Sequence, residues 1–300
     1  MEVVDLGSSG LRASRVGLGC NNFGGRIGLA ETRAVVDAAL DVGITFFDTA
    51  EVYGSDGGSE RFLGEVLDGR RDRVVLATKF GWGGERGDGS PAAVRKAIDG
   101  SLARLRTDHV DLYYLHKADP STPIAETLGA LDDLVRAGKV RALGCSNFSA
   151  EQLAEADRVA REQGTARFSV LQNHYSLLER GDDADVLPLC RELGVAYVPY
   201  FPLASGLLTG KYRRGEPAPE GTRLAGREIE DERLAHVEEL TAFAEERGRT
   251  ILELAISALA STPGMGSVIA GATKPDQVRA NATAAGWLLT ADELAALAAL

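Results

Sequence analysis

The sequence has few cysteines and fewer basic than acidic residues. Cys20, Cys145 and Cys190 are its only cysteines; their odd number and wide spacing fit neither a disulfide framework nor a zinc site and are typical of a reducing cytoplasm. The 33 basic residues are outnumbered by 44 acidic ones, which gives a formal net charge of −11. Because an acidic surface repels phosphate backbones, we expect no nucleic-acid partner.

Long apolar runs and targeting signals are also missing. No apolar segment approaches the ~20 residues that a transmembrane helix needs. The first residues, from Met1 to Asp5, carry neither the basic stretch nor the apolar region of a signal peptide. We therefore expect a cytoplasmic protein without a membrane partner.

What the sequence does contain is a regular alternation of short apolar runs with amphipathic stretches. The runs that predict barrel strands are residues 16–19, 45–48, 74–79, 111–116, 142–146, 170–173, 196–200 and 267–270. Eight such repeats without a break in composition predict one α/β domain over residues 1–300, a single (β/α)8 TIM barrel with extra C-terminal helices.

Helix signals and irregular segments complete this pattern. Residues 31–42 have apolar positions at helical spacing, and residues 90–106 begin with a plausible N-cap followed by proline. Residues 6–15 predict an N-terminal β-hairpin that plugs the barrel. The glycine-rich residues 81–90 and the long polar residues 211–232 predict functional loops at the opposite mouth.

Four titratable side chains stand at or just beyond the ends of successive predicted strands. They are Asp48, Tyr53, Lys79 and His116. In a parallel barrel the C-terminal ends of the strands converge on one mouth, where catalytic groups lie. Any one of them alone would more simply be a cap, a turn former or a packed aromatic. As a set they favour a catalytic site, and Lys79 is the most informative because a buried charge needs a partner.

The four side chains together can donate a proton to a carbonyl oxygen. A tyrosine has a pKa near ~10, and we expect the Lys79 ammonium to lower the pKa of Tyr53, with Asp48 keeping Lys79 charged. His116 can hydrogen-bond the substrate oxygen. Since no serine or cysteine lies in a nucleophile context, a hydride from a reduced nicotinamide is the expected attacking group. The residues also leave open a lyase or aldolase that uses Lys79 as a Schiff-base amine.

The same residues resemble the aldo-keto reductase family. The motifs that carry the resemblance along essentially the whole chain are Asp48-Thr49-Ala50, Tyr53-Gly54, Ser59-Glu60, Leu63-Gly64, Leu115-His116-Lys117, Gly144-Cys145-Ser146-Asn147-Phe148, Gln172-Asn173, Tyr200-Phe201-Pro202-Leu203, Gly206-Leu207-Leu208-Thr209-Gly210-Lys211-Tyr212 and Gly271-Ala272-Thr273-Lys274. The resemblance implies a barrel that binds NADP(H) without a Rossmann domain and reversibly reduces an aldehyde or ketone.

By this resemblance, twelve positions are expected to contact NADP(H): Ser146, Asn147, Gln172, Tyr200, Leu203, Ser205, Lys211, Arg223, Thr273, Lys274, Gln277 and Asn281. The first three would hold the nicotinamide carboxamide, Tyr200 would stack on its ring, and the next four would follow the pyrophosphate. Thr273, Lys274 and Gln277 would face the 2′-phosphate, and Asn281 the adenine. A helix N-terminus after the eighth strand is itself a suitable anion site. Lys274 predicts NADP(H) over NAD(H).

Two positions depart from the family pattern, and the substrate is the least defined part of the prediction. Phe201 stands where relatives commonly carry serine, and Ala280 where many carry glutamate near the adenine. We expect the substrate pocket near Tyr53 to be lined by Asn22, Phe23, Trp82 and Tyr175. Aromatic walls favour carbonyl compounds with an apolar body.

A second function on the same barrel is an NADP(H)-sensing binding protein, as in channel-associated members of the family. Those relatives tend to lose the histidine at the position of His116, so its presence here favours an enzyme. The sequence does not indicate an oligomeric state, although monomers are usual in this kind of family.

Overall fold

The computed structural model describes residues 1–83 and 87–300, so the centre of the predicted loop 81–90 lies outside the described residues. Its strands are β1 (Val3–Asp5), β2 (Arg12–Ser14), β3 (Val16–Gly19), β4 (Phe46–Asp48), β5 (Val75–Phe80), β6 (Val110–Leu115), β7 (Val140–Ser146), β8 (Phe168–His174), β9 (Ala196–Tyr200) and β10 (Val268–Gly271). Its helices are α1 (Leu29–Asp41), α2 (Gly58–Val66), α3 (Pro91–Leu105), α4 (Ile124–Arg136), α5 (Ala150–Gln163), α6 (Val186–Leu193), α7 (Asp231–Glu245), α8 (Ile251–Ser261), α9 (Pro275–Ala284) and α10 (Ala291–Ala298).

Eight parallel strands close into a barrel in the order β10-β3-β4-β5-β6-β7-β8-β9, which confirms the predicted TIM barrel. Parallel neighbours need a crossover, and a helix supplies each one. Two helices exceed the eightfold repeat: α7 precedes the last barrel strand, and α10 follows the last barrel helix. Within the part of the chain that the structure describes, no helix is long and apolar enough to cross a membrane.

The N-terminal hairpin covers the end of the barrel opposite the strand ends that carry Asp48 and Lys79. β1 pairs with β2 in antiparallel register, with Val3 opposite Ser14, so the hairpin begins three residues before the predicted 6–15. Leu6 is fully buried in one cluster with barrel-interior side chains such as Phe46 and Leu112. The hairpin therefore forms the predicted plug.

Local sequence signals set the helix ends. The Ser90 hydroxyl accepts a hydrogen bond from the Ala93 amide at 3.2 Å, and Pro91 takes the first turn of α3, as predicted. At the other end, Arg106 adopts a left-handed conformation with φ of 53° and terminates the helix. The helix predicted at 31–42 begins two residues earlier, at Leu29.

The strand register places the titratable side chains on one rim. Asp48 is the last residue of β4, and Lys79 is the penultimate residue of β5, which extends one residue beyond the predicted end. His116 lies directly after β6, where its amide donates to the Phe80 carbonyl at 2.8 Å. The barrel geometry thus gathers side chains that are far apart in sequence.

Close packing inside the barrel makes Gly144 a sensitive position. A Cβ at Gly144 of β7 would lie 2.5 Å from ring carbons of Tyr114 and 3.0 Å from the carbonyl oxygen of Val170. Tyr114 is itself fully buried in the barrel interior, so its ring has little room to move.

We predict that Gly144→Ala lowers the free energy of unfolding by about 1–3 kcal/mol, because the added methyl group overpacks the barrel. Urea denaturation would measure the change. Gly129→Ala is the matched control: Gly129 lies in α4 with no atom within 4 Å of an added Cβ. It should be neutral or stabilising by up to about 1 kcal/mol. Equal effects of the two substitutions would contradict the overpacking argument.

Candidate active site

A buried lysine links an aspartate to a tyrosine at the floor of the mouth. Lys79 Nζ is fully buried and donates hydrogen bonds to Asp48 Oδ1 at 2.5 Å and to the Thr49 carbonyl at 2.9 Å. Its third contact is with Tyr53 Oη at 3.5 Å. All three N–H groups of the ammonium therefore have an acceptor.

The charge of Lys79 is stabilised by its partners. Burial alone lowers the pKa of the ammonium, but Asp48 and Tyr53 outweigh burial, and the pKa of Lys79 is raised above its ordinary value. The other carboxylate oxygen of Asp48 accepts a hydrogen bond from Gln172 Nε2 at 2.9 Å. Asp48 is thus held from two sides as the counter-ion.

Tyr53 is a neutral phenol, and the predicted direction of its pKa shift is wrong. Burial raises the pKa of Tyr53 by more than the charge of Lys79 lowers it, so the net shift is upward. The same ammonium would stabilise a phenolate once a proton has left. The arrangement therefore favours Tyr53 as a proton donor.

His116 is neutral at physiological pH. Burial, followed by the nearby charge of Lys79, lowers the pKa of His116 to about 3. Its ring packs edge-on against Tyr53 at 5.9 Å between centroids and lies 4.7 Å from the ring of Trp82. Its Nδ1 atom is buried and has no hydrogen-bond partner among residues 1–83 and 87–300. A neutral imidazole in this position can donate a hydrogen bond to a substrate oxygen.

A cleft of about 570 Å³ opens above these residues and extends towards α9. Asp48, Tyr53 and His116 line its floor. The cofactor positions predicted by resemblance that also line it are Ser146, Asn147, Gln172, Tyr200, Leu203, Ser205, Lys211, Arg223, Thr273, Gln277 and Asn281. Lys274 is exposed at the residue before α9 and is not among the lining residues. Ala280 lines the cleft as well.

Hydrogen bonds connect the lining residues of neighbouring strands. Asn147 Nδ2 donates to the His116 carbonyl at 3.0 Å, and Tyr200 Oη donates to Asn147 Oδ1 at 2.8 Å. Ser146 Oγ donates to the Gln172 carbonyl at 2.7 Å. Asn147 adopts a left-handed conformation with φ of 58°, which is sparsely populated and typical of functional sites.

The cleft end near α9 carries its own cap. Gln277 Oε1 accepts hydrogen bonds from the amides of Thr273 at 2.8 Å and Lys274 at 3.2 Å. These amides lie at a helix N-terminus, where an anion is favoured. Gln277 therefore occupies acceptor positions that a phosphate oxygen could take.

Two of the four residues predicted to line the substrate pocket do not line the cleft. Asn22 and Trp82 line the cleft, and Trp82 is 43% exposed. Phe23 instead points into the hydrophobic core and is fully buried. Tyr175 donates its hydroxyl to Asp183 and packs its ring on Tyr197, away from the cleft. An aromatic residue near a strand end does not reveal which side of the loop it faces.

Several residues that line the cleft were not predicted from the sequence. Val52 is 43% exposed at the rim, and Arg26 lines the cleft from the loop after β3. The position of Val52 immediately before Tyr53, and that of Arg26 after the Gly24-Gly25 pair, were available signals. The direct bond between Gln172 and Asp48 left no signal, because it joins residues 124 positions apart.

Comparison with known proteins places this geometry in one family. The model of the aldo/keto reductase family matches residues 15–300. The chain is 38% identical to a probable voltage-gated potassium channel subunit beta of Oryza sativa subsp. japonica, over 94% of this chain and 90% of that protein. It is 36% identical to the aldo-keto reductase YhdN of Bacillus subtilis (strain 168), over 98% and 91%. It is 34% identical to the L-glyceraldehyde 3-phosphate reductase of Escherichia coli (strain K12), over 93% and 86%.

The lowered pKa of His116 predicts a specific pH dependence of stability. The unfolded chain binds a proton at this position below a pKa of 6.5, whereas the folded chain resists it down to about 3. Stability from neutral His116 is thus fully present above pH 6.5 and is lost as the pH falls. Relative to His116→Gln, the free energy of unfolding of the wild type should fall by about 2 kcal/mol between pH 7 and pH 5. Urea denaturation at each pH would measure it, and parallel pH profiles would contradict the assignment.

Proposed function

Since this chain belongs to the aldo/keto reductase family, which acts on small carbonyl compounds, we propose that it reduces an aldehyde or ketone to the alcohol with NADPH and catalyses the reverse oxidation. The observation that supports this most strongly is the contact chain from Asp48 through Lys79 to Tyr53 at the floor of the cleft. Three free, buried cysteines are consistent with the cytoplasm as the site of this activity.

The residues of the cleft fit a nicotinamide dinucleotide phosphate. One part of the cleft offers the ring of Tyr200 and polar groups such as Asn147, and another part offers Lys211 and Arg223. Basic side chains in a protein of net charge −11 favour an anionic ligand at this place. The N-terminus of α9 would hold a further phosphate group. When bound, the nicotinamide supplies or accepts the hydride.

The residues of the chain itself perform the proton transfer. Tyr53 holds its proton because its pKa is raised, and it delivers that proton to the carbonyl oxygen as negative charge develops there. Lys79 stabilises the phenolate that remains, and Asp48 keeps Lys79 charged. Neutral His116 donates a hydrogen bond that orients the substrate oxygen. Exposed Val52 and Trp82 at the rim suit a substrate with an apolar body.

The alternatives receive different support. A Schiff-base lyase needs a deprotonated, accessible amine, but Lys79 is fully buried with a raised pKa and three hydrogen-bond acceptors. An NADP(H)-sensing protein is favoured by the similarity to the probable channel subunit of Oryza sativa subsp. japonica. His116 beside Tyr53 favours the enzyme. Tight NADPH binding without turnover of any carbonyl compound would support the sensor instead.

Tyr53→Phe should lower turnover by at least about 100-fold, because it removes the proton that general acid catalysis delivers. NADPH oxidation with a panel of aromatic aldehydes, dicarbonyls and sugar aldehydes would measure turnover. The dissociation constant of NADPH, from fluorescence titration, should stay within about twofold because the ring remains. A variant that kept most of its activity would refute the role of Tyr53.

Lys274→Ala should weaken NADPH binding by about tenfold, the lower end for a hydrogen bond to a charged group, since Lys274 is exposed. NADH binding should hardly change, because NADH lacks the 2′-phosphate. Arg279→Ala is a matched control: it removes a nearby cation that lies within α9 and is paired with Asp276. Equal losses for the two nucleotides would contradict the 2′-phosphate assignment, as would an equal loss for the control.

A further inference from the structure

Phe201 has an unusual backbone conformation for a large side chain. It follows β9 with φ of 56°, in the left-handed region that bulky residues rarely adopt. Ala204 and Ser205 share this region, with φ of 45° and 58°. Such conformations are unfavourable and persist where surrounding contacts stabilise them, often at ligand sites. Phe201 is nevertheless 38% exposed, so burial of this residue does not explain its conformation.

The contacts of Phe201 are aromatic on one side and cationic on the other. Its ring packs edge-on against Tyr200 at 5.3 Å and His174 at 5.7 Å between centroids. The guanidinium carbon of Arg223 lies 5.3 Å from the ring centroid of Phe201, within the range of a cation–π interaction. Phe201 thus connects Arg223 to Tyr200, whose hydroxyl is bonded to the cleft residue Asn147.

Arg223 belongs to a segment that crosses the cleft. We call residues 211–230, between the turn that follows β9 and the start of α7, the strap. Arg223 Nη2 reaches Asn22 Oδ1 at 3.5 Å, on the loop after β3. Arg223 therefore contacts one wall of the cleft through Phe201 and the other through Asn22. Its strap neighbours Gly221 and Thr222 line the cleft with it.

Neighbouring positive charges disfavour the position of Arg223 across the cleft. Arg223 is half-buried and has no carboxylate partner within the described ranges 1–83 and 87–300. Burial lowers the pKa of Arg223, and the charges of Arg26 and Arg227 lower it further. Arg26 lines the same cleft, and its amide donates to the Asn22 carbonyl at 2.9 Å. Arg26 and Arg223 therefore share one rim of the cleft, and an anion between them would reduce their repulsion.

We infer that Phe201 is a positioning residue: it seats Arg223 across the cleft so that the strap retains an anionic diphosphate group. This inference rests on the proposed function, in which that group is the diphosphate of NADPH. Asn22 supplies the contact on the opposite wall. Without the ring of Phe201, Arg223 would have one anchor instead of two, and the strap would open more readily.

The rate of NADPH release tests directly whether Phe201 positions Arg223. Phe201→Leu keeps an apolar side chain but removes the aromatic face. Because a cation–π contact contributes about 0.5–1 kcal/mol, release should be about two- to fivefold faster. Phe201→Tyr keeps the aromatic face and should release NADPH at the wild-type rate. The release rate is measured by stopped-flow fluorescence after displacement with excess NADP⁺, without any carbonyl substrate.

A double-mutant cycle distinguishes the contact of Phe201 with Arg223 from a general effect of Phe201 on the cleft. In the Arg223→Ala background, Phe201→Leu should cause no further acceleration, because the cation is gone. Trypsin cleavage after Arg227 should be slowed by NADPH in the wild type, and less so in Phe201→Leu. Equal acceleration in both backgrounds would overturn the inference while leaving the reductase intact. A wild type that does not bind NADPH would overturn the proposed cofactor and this inference together.

Discussion

The ion pair between Lys79 and Asp48 is the interaction on which the site depends. A fully buried ammonium is costly unless every N–H group has an acceptor, and here Asp48, the Thr49 carbonyl and Tyr53 provide them. Removing one partner of a buried pair typically costs about 3–5 kcal/mol, whereas a pair of apolar residues would often be as stable. The pair is therefore explained better by the proton donation proposed for Tyr53 than by stability.

The barrel separates stability from chemistry along its axis. One end is closed by the hairpin through apolar contacts such as those of Leu6 with Phe46. The other end collects polar side chains from neighbouring strands and connects them by hydrogen bonds, as between Gln172 and Asp48. Close packing in between, as at Gly144, fixes the strands and hence the distances at the mouth. Asp48 and Lys79, two of the proposed catalytic residues, lie at strand ends, where the barrel fixes their positions.

Loops, by contrast, bring the cations Arg26, Lys211 and Arg223 to the wall of the cleft. Arg26 and Arg223 approach the same rim in a protein of net charge −11. Such a rim attracts an anionic ligand, and the charge of the ligand reduces the repulsion between the cations. The left-handed conformation of Phe201 is compatible with the same function, since strained backbone is tolerated where a ligand contact depends on it. The same cations would then both retain the ligand and set the position of the strap.

The barrel, the helix caps such as Ser90, and the strand-end positions of Asp48 and Lys79 could be predicted from local patterns, because periodicity and capping act over a few residues. The upward pKa shift of Tyr53 could not be predicted in this way, since the depth of burial is a property of the whole fold. The fold also buries Phe23 in the hydrophobic core. Contacts between segments 201 residues apart, such as that of Arg223 with Asn22, leave no trace in local sequence patterns.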